Sequence, residues 1–174
     1  MGDKAHPMSD FPELYTQSVR LLEAAAKSKQ TIATAESCTG GLVASLLTDV
    51  EGYGECFDRG FIVYTDEAKA ELLAVDPVAL RTYGAVSRPI ANQMAKGALM
   101  RSRADLALAI TGFAGPAGPR DEEGLVFLEA HARSGRVISR ECHYGPAGRD
   151  RVRNLTAAAA LEMLMELLQG SATA

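Results

Sequence analysis

The chain has no basic stripe, no long apolar run and no even set of cysteines. Eighteen Lys and Arg stand against 22 Asp and Glu, a net charge of −4. Nucleic-acid binding rests on clustered positive charge that displaces phosphate counterions, so no nucleic-acid partner is expected. No apolar stretch approaches the ~20 residues that cross a bilayer, so no membrane span is expected either. Three cysteines, Cys38, Cys56 and Cys142, cannot all pair. The odd number argues against a disulfide framework and for a reducing, cytoplasmic setting. No Cys, His and Asp spacing fits a zinc site, and neither a metal nor a cofactor is expected. The opening MGDKAHPMSD lacks the apolar core of a secretory signal. No internal repeat or long linker breaks the chain, and Ala157–Ala160 is good helix sequence rather than a low-complexity tract.

What is present is ordinary globular material. The 174 residues, 47% apolar and 23% charged, suit one domain with a sizeable core. That domain is placed at residues 11–168, with residues 1–10 and 169–174 read as frayed tails. Phe11 to Lys29 has apolar residues at helical spacing, Leu14, Val19, Leu22 and Ala26. Thr31 to Ala35 reads as a buried strand, followed by a polar turn at residues 36–41 and a helix from Leu42. Phe61 to Thr65 (FIVYT) is a second short apolar run, expected to be a buried strand. Helices are expected over Asp66–Leu73, with Thr65 or Asp66 as cap, and over Pro77–Tyr83, with Gly84 after it. A longer helix opens at Ser87-Arg88-Pro89 and runs from Ile90 to Arg101. Leu106–Ile110 is another buried strand. Leu125–Ala130 and Val137–Cys142 form a hairpin around Ser134-Gly135. The last helix, Arg149 to Leu168, carries the stripe Val152, Leu155, Ala159, Met163 and Leu167. Strands alternating with helices imply an α/β fold: a three-layer α/β/α sandwich with a mixed, mainly parallel sheet.

The strands ending at Ala35, Thr65 and Ile110 each run into a polar or glycine-rich segment. Open α/β sheets bind ligands at the carboxyl ends of their strands, so the three segments are expected to converge on one crevice. Ser37 lies in the first. It is either a helix N-cap or a nucleophile beside free N–H groups at a helix start; Thr39 is an alternative cap. Cys38 is a rival nucleophile or a small core residue. A serine needs a base, and His6, His131 and His143 all fall outside the segments expected at the crevice. Lys69 is the better candidate, because burial lowers a lysine pKa. It reads equally as an exposed helix lysine paired with Glu67 or Glu71. TGFAGPAGP (111–119) is either a strand exit or a loop whose glycines admit a phosphate or ribose. Arg149, Arg151 and Arg153 crowd a helix start, where cations oppose the dipole; at least one is expected to meet an anion.

Five segments in this order, AESCTGG (35–41), RGFIVYTDEAK (59–69), YGAVS (83–87), TGFAGPAG (111–118) and RDRVRN (149–154), resemble the CinA C-terminal domain family, also called nicotinamide-nucleotide amidases. The resemblance covers residues 11 to 168. It implies hydrolysis of the carboxamide of nicotinamide mononucleotide to nicotinate mononucleotide and ammonia, a salvage step, by a metal-independent serine/lysine mechanism. It also implies the residues. Ser37 is the nucleophile and Lys69 the base; N–H groups near Thr39, Gly40 and Gly41 hold the oxyanion. Thr111, Gly112, Ala114 and Gly115 lie against pyridinium and ribose, and Arg153 meets the phosphate. The partner is thus a small-molecule nucleotide, and the default assembly a homodimer. The chain departs from the family pattern at Pro119, at Asp121-Glu122-Glu123, at Arg88 (often Glu) and at Phe113 (usually small or polar). It also reads GPAGRD before the last helix. These departures leave open a second reading, a paralogue that binds a nucleotide with weak turnover or none.

Overall fold

The computed structural model describes residues 12–119 and 121–170, so the tail at residues 1–10 and the last four residues lie outside the described part. In chain order the elements are α1 (Pro12–Ser28), β1 (Ile32–Glu36), α2 (Leu42–Thr48), a 3-10 turn (Gly54–Cys56), β2 (Phe57–Ile62), α3 (Asp66–Leu73), α4 (Pro77–Tyr83), α5 (Arg88–Met100), β3 (Leu106–Gly112), β4 (Leu125–Ala132), β5 (Val137–His143) and α6 (Arg149–Gln169). The five strands lie in the order β2-β1-β3-β4-β5. β1 pairs in parallel with β2 and β3, while β3, β4 and β5 pair antiparallel. The result is the expected mixed α/β sandwich.

Side chains alternate across a strand, and here the alternation sorts two different cores. Ile32, Leu106, Leu108, Ile110, Val126 and Leu128 face α1, α2 and α6. Ala35, Ala107 and Ala109 face the other way, toward α3, α4 and α5. Small residues let α5 approach closely. A Cβ at Gly97 of α5 would lie 2.0 Å from the Leu73 carbonyl oxygen, so only glycine fits.

Two expectations are corrected. The strand placed at Phe61–Thr65 lies at Phe57–Ile62, and it is not buried: Ile62 is 57% exposed and Tyr64, past its end, 69%. β2 is an edge strand with one neighbour, so it has no second flank to enclose it, and the apolar run marks the strand exit. In α6 the stripe turns through Thr156, whose hydroxyl donates to the Val152 carbonyl at 2.7 Å, while Leu155 is exposed.

Candidate active site

The ends of β1, β2 and β3 do converge. Ser37 and Cys38 after β1, Tyr64 and Lys69 after β2, and Thr111 to Pro116 after β3 line one cleft of about 280 Å³, closed by Ala85, Val86 and Arg149. A larger groove of about 570 Å³ runs between α1 and α6, but it holds none of these groups. The cleft that matters is the one that gathers the reactive side chains.

The strand alternation decides where Glu36 and Ser37 go. Glu36 continues the face toward α2, and Ser37 turns to the face toward α3. The Ser37 backbone is held by its N–H donating to the Ile110 carbonyl at 3.0 Å. The Val63 N–H donates to the Glu36 carbonyl at 2.9 Å, which extends the β1–β2 pairing past the strand end.

Lys69 is 1% exposed. It enters the cleft because α3 starts at Thr65, whose hydroxyl accepts the Ala68 N–H and fixes the first turn. The Lys69 Nζ donates to the Tyr64 carbonyl at 3.1 Å and to the Thr65 carbonyl at 3.5 Å, with Asp66 Oδ1 at 4.0 Å. Burial lowers its pKa below the ordinary lysine range, and nearby Asp66, Cys38 and Glu67 offset this only in part. The exposed, glutamate-paired lysine that the pattern also allowed is not what the fold makes. Cys38 lines the same cleft, but burial pushes its thiol up to about 12, with the Glu36 charge adding to the rise. A thiol so rarely ionised is a poor nucleophile.

Of the other residues singled out in the sequence, Thr111, Gly112, Ala114 and Gly115 line the cleft. The Thr111 hydroxyl donates to the Ala85 carbonyl at 2.8 Å and ties two walls together. Thr39, Gly40, Gly41 and Arg153 sit behind the turn instead. The Gly40 N–H donates to the Ser37 carbonyl and the Gly41 N–H to Glu36 Oε2, both at 3.1 Å. The Arg153 guanidinium donates through Nε and Nη2 to the Thr39 carbonyl and so braces the turn. Arg149, one helical turn earlier, is the arginine on the cleft. It lies against Gly115, where a Cβ would come within 2.7 Å of its guanidinium. The three arginines at this helix start were a signal for it, but spacing does not tell Arg149 from Arg153, which share a helix face.

Arg88 points away from the cleft. Its Nε lies 3.6 Å from Glu129 Oε1 on β4. Glu129 also faces His131 at 3.5 Å, and the His131 ring meets Asn92 of α5 at 3.2 Å. His131 is thus spoken for beneath α5, and His143 lies between Glu122 and Glu141 on the surface. Neither histidine lines the cleft. Among the described residues no group of His, Cys, Asp and Glu is arranged to hold a metal ion, and no helix is long and apolar enough to cross a membrane.

The family model for the CinA C-terminal domain matches residues 15–168. The nicotinamide-nucleotide amidohydrolase PncC of Escherichia coli (strain K12) is 43% identical over 157 residues, 88% of this chain and 94% of that protein. The crystal structure of competence/damage inducible protein CihA from Agrobacterium tumefaciens superposes with a TM-score of 0.86 at 46% identity, covering 88% of this chain and 94% of that one. A CinA superfamily structure from Escherichia coli gives a TM-score of 0.84 at 33% identity, covering 88% and 90%. The chain belongs to the CinA C-terminal domain family.

Proposed function

We propose that this family member is a nicotinamide-nucleotide amidohydrolase, which converts nicotinamide mononucleotide and water to nicotinate mononucleotide and ammonia in pyridine-nucleotide salvage. One observation carries the reading. A fully buried lysine, with its pKa lowered, shares a cleft with a serine at the end of a central strand. The 43% identity to the PncC amidohydrolase supports the substrate.

A neutral amine has two N–H bonds to donate and one lone pair. The Tyr64 and Thr65 carbonyls accept the two N–H bonds, which leaves the lone pair of Lys69 for the Ser37 proton. Ser37 Oγ then attacks the carboxamide carbon, and the carbonyl oxygen becomes an oxyanion. Lys69 returns the proton to the amide nitrogen, which leaves as ammonia. Water, deprotonated by Lys69, attacks the acyl-enzyme and releases the carboxylate and Ser37. A cationic pyridinium nearby favours the neutral amine further. In this reading Arg149, rather than Arg153, meets the phosphate, since Arg153 already serves the Thr39 carbonyl.

The test is ammonia release from nicotinamide mononucleotide by the wild type, Ser37→Ala and Lys69→Ala. Release by the wild type that both substitutions abolish is the expected result. Well-folded wild type that releases none across a range of pH overturns the substrate. Binding of the nucleotide without release would then favour the non-catalytic paralogue, for which Phe113 in the cleft wall is the supporting observation.

A further inference from the structure

β1 ends on a carboxylate to which the sequence pattern assigns no task. Glu36 is 1% exposed. Its Oε2 accepts the N–H groups of Gly41 and Val43, each at 3.1 Å, and its Oε1 accepts that of Ala44 at 2.8 Å. A helix start presents N–H groups without intrahelical partners, and an anion is the natural occupant. Here the anion comes from the chain itself. Neither Ser37 nor Thr39 caps α2. Its N-cap is Gly41, at φ 94°, with no side-chain cap bond of its own. The carboxylate five residues upstream takes that part.

The consequence concerns the reaction. Acyl transfer through Ser37 needs N–H donors for the oxyanion. The Gly41, Val43 and Ala44 groups are taken by Glu36, the Gly40 group by the Ser37 carbonyl and the Leu42 group by the Thr39 carbonyl. Among the described residues the N–H groups of Cys38 and Thr39 donate to no oxygen; of the two residues Cys38 lines the cleft, while Thr39 is fully buried behind it. Ser37 itself does not depend on the clamp, because Ile110 and Val63 hold its peptide through the sheet. What the clamp holds is the turn that follows.

We propose that Glu36 is a positioning residue: its carboxylate fills the start of α2 from within, fixes the turn of residues 38–41, and leaves the Cys38 N–H group as the donor that meets the oxyanion. The proposal rests on the amidohydrolase reading above. It makes the helix start unavailable to the substrate phosphate, which must find its cation elsewhere on the cleft. It also predicts a division of effects. Loosening the turn removes stabilisation that only the transition state uses, while substrate and product still bind between walls that Glu36 does not touch.

The experiment is steady-state ammonia release, with product affinity measured by calorimetry, on wild type, Glu36→Gln and Ala44→Pro. Glutamine has the same size but must turn an NH2 group toward one of the N–H donors. The expected result is a kcat about 100-fold lower, the scale of losing one oxyanion donor, with KM and nicotinate mononucleotide affinity within threefold. Ala44→Pro removes one of the three N–H bonds to Glu36 without removing an intrahelical one, and is expected to lower kcat about tenfold, in the same direction as the partial loss of such a donor. It keeps the proposal testable if Glu36→Gln does not fold. Equal loss of kcat and product affinity overturns the proposal in favour of a general structural role. An unchanged kcat in either folded variant also overturns it. A wild type without ammonia release would instead overturn the amidohydrolase reading, a result visible before any variant is made.

Discussion

The two sides of the sheet are built to different rules. Toward α1, α2 and α6 the strands present Ile32, Leu106, Leu108, Ile110 and Leu128, and the helices answer with Leu21, Leu22, Leu46, Leu164 and Leu167. Each such side chain contributes about 1.5–3 kcal/mol by leaving water. Toward α3, α4 and α5 the strands present alanines, and the same layer buries Lys69, Thr111, Glu129 and His131. A buried charge costs stability unless it is paired and hydrogen-bonded. The first side stabilises the fold, and the second spends part of that stability on polar groups whose properties depend on being dry. Lys69 is the clearest case. Its depressed pKa is a cost to folding and a condition of the proposed chemistry.

The sharpest way to break this division is at Lys69. Lys69→Ala is expected to lower ammonia release about 10³-fold or more, the scale of losing a general base, and to leave the fold intact or firmer. A single-turnover assay beside a melting curve checks both halves. On the opposite side Leu164→Ala should do the reverse. It should cost about 2–5 kcal/mol of unfolding free energy and leave kcat/KM per folded molecule unchanged, as read by urea titration and active-site-normalised rates. Gly97→Ala tests the close approach of α5. A Cβ meeting the Leu73 carbonyl oxygen at 2.0 Å should cost about 1–3 kcal/mol, visible as a lower midpoint in urea. Arg149→Ala is smaller still. It should raise KM for the nucleotide about tenfold, worth about 1.4 kcal/mol, and leave the dephosphorylated nucleoside unaffected. Such a loss for the nucleoside as well would remove the phosphate contact from Arg149.

The finest test is a slope rather than a midpoint. Burial pushes the Glu129 carboxyl up, but the neighbouring His131, Ser139 and Asn92 side chains, with the His131 charge, outweigh it and hold the pKa below the ordinary carboxylate value. A depressed folded pKa gives stability that is present above the unfolded pKa of about 4.3 and lost as pH falls through the folded one. Unfolding free energy measured from neutral pH into the acid range should therefore drop less steeply in Glu129→Gln than in wild type. Equal slopes would show that the polar cluster beneath α5 adds nothing through its charge.

Most elements were legible because their signals are local. Thr65 before an acidic first turn, Asp76 before Pro77 and Gly84 after Tyr83 mark helix ends wherever they occur, and α3 and α4 stand at the expected residues. β2 was expected at Phe61–Thr65 and lies at Phe57–Ile62, because the apolar run that marked it lies at the exit of an exposed edge strand. Ser37 and Lys69 were legible through their motifs, and the convergence of three strand ends followed from the general rule for α/β sheets. Glu36 was not legible as a cap, because its three N–H partners become neighbours only once strand and helix are folded back on each other.

The order of helices and strands, the α/β class and the few polar residues at strand ends were already carried by the sequence. These follow from periodicity, capping and composition, all of which act over a few residues. Only the tertiary structure decided that Lys69 is dry, that Cys38 is held as a thiol, that Arg149 lies on the cleft while Arg153 braces the turn behind it, and that the start of α2 is already filled. The reason is physical: desolvation and hydrogen-bond partnership are set by neighbours from distant segments, and no local pattern carries their positions.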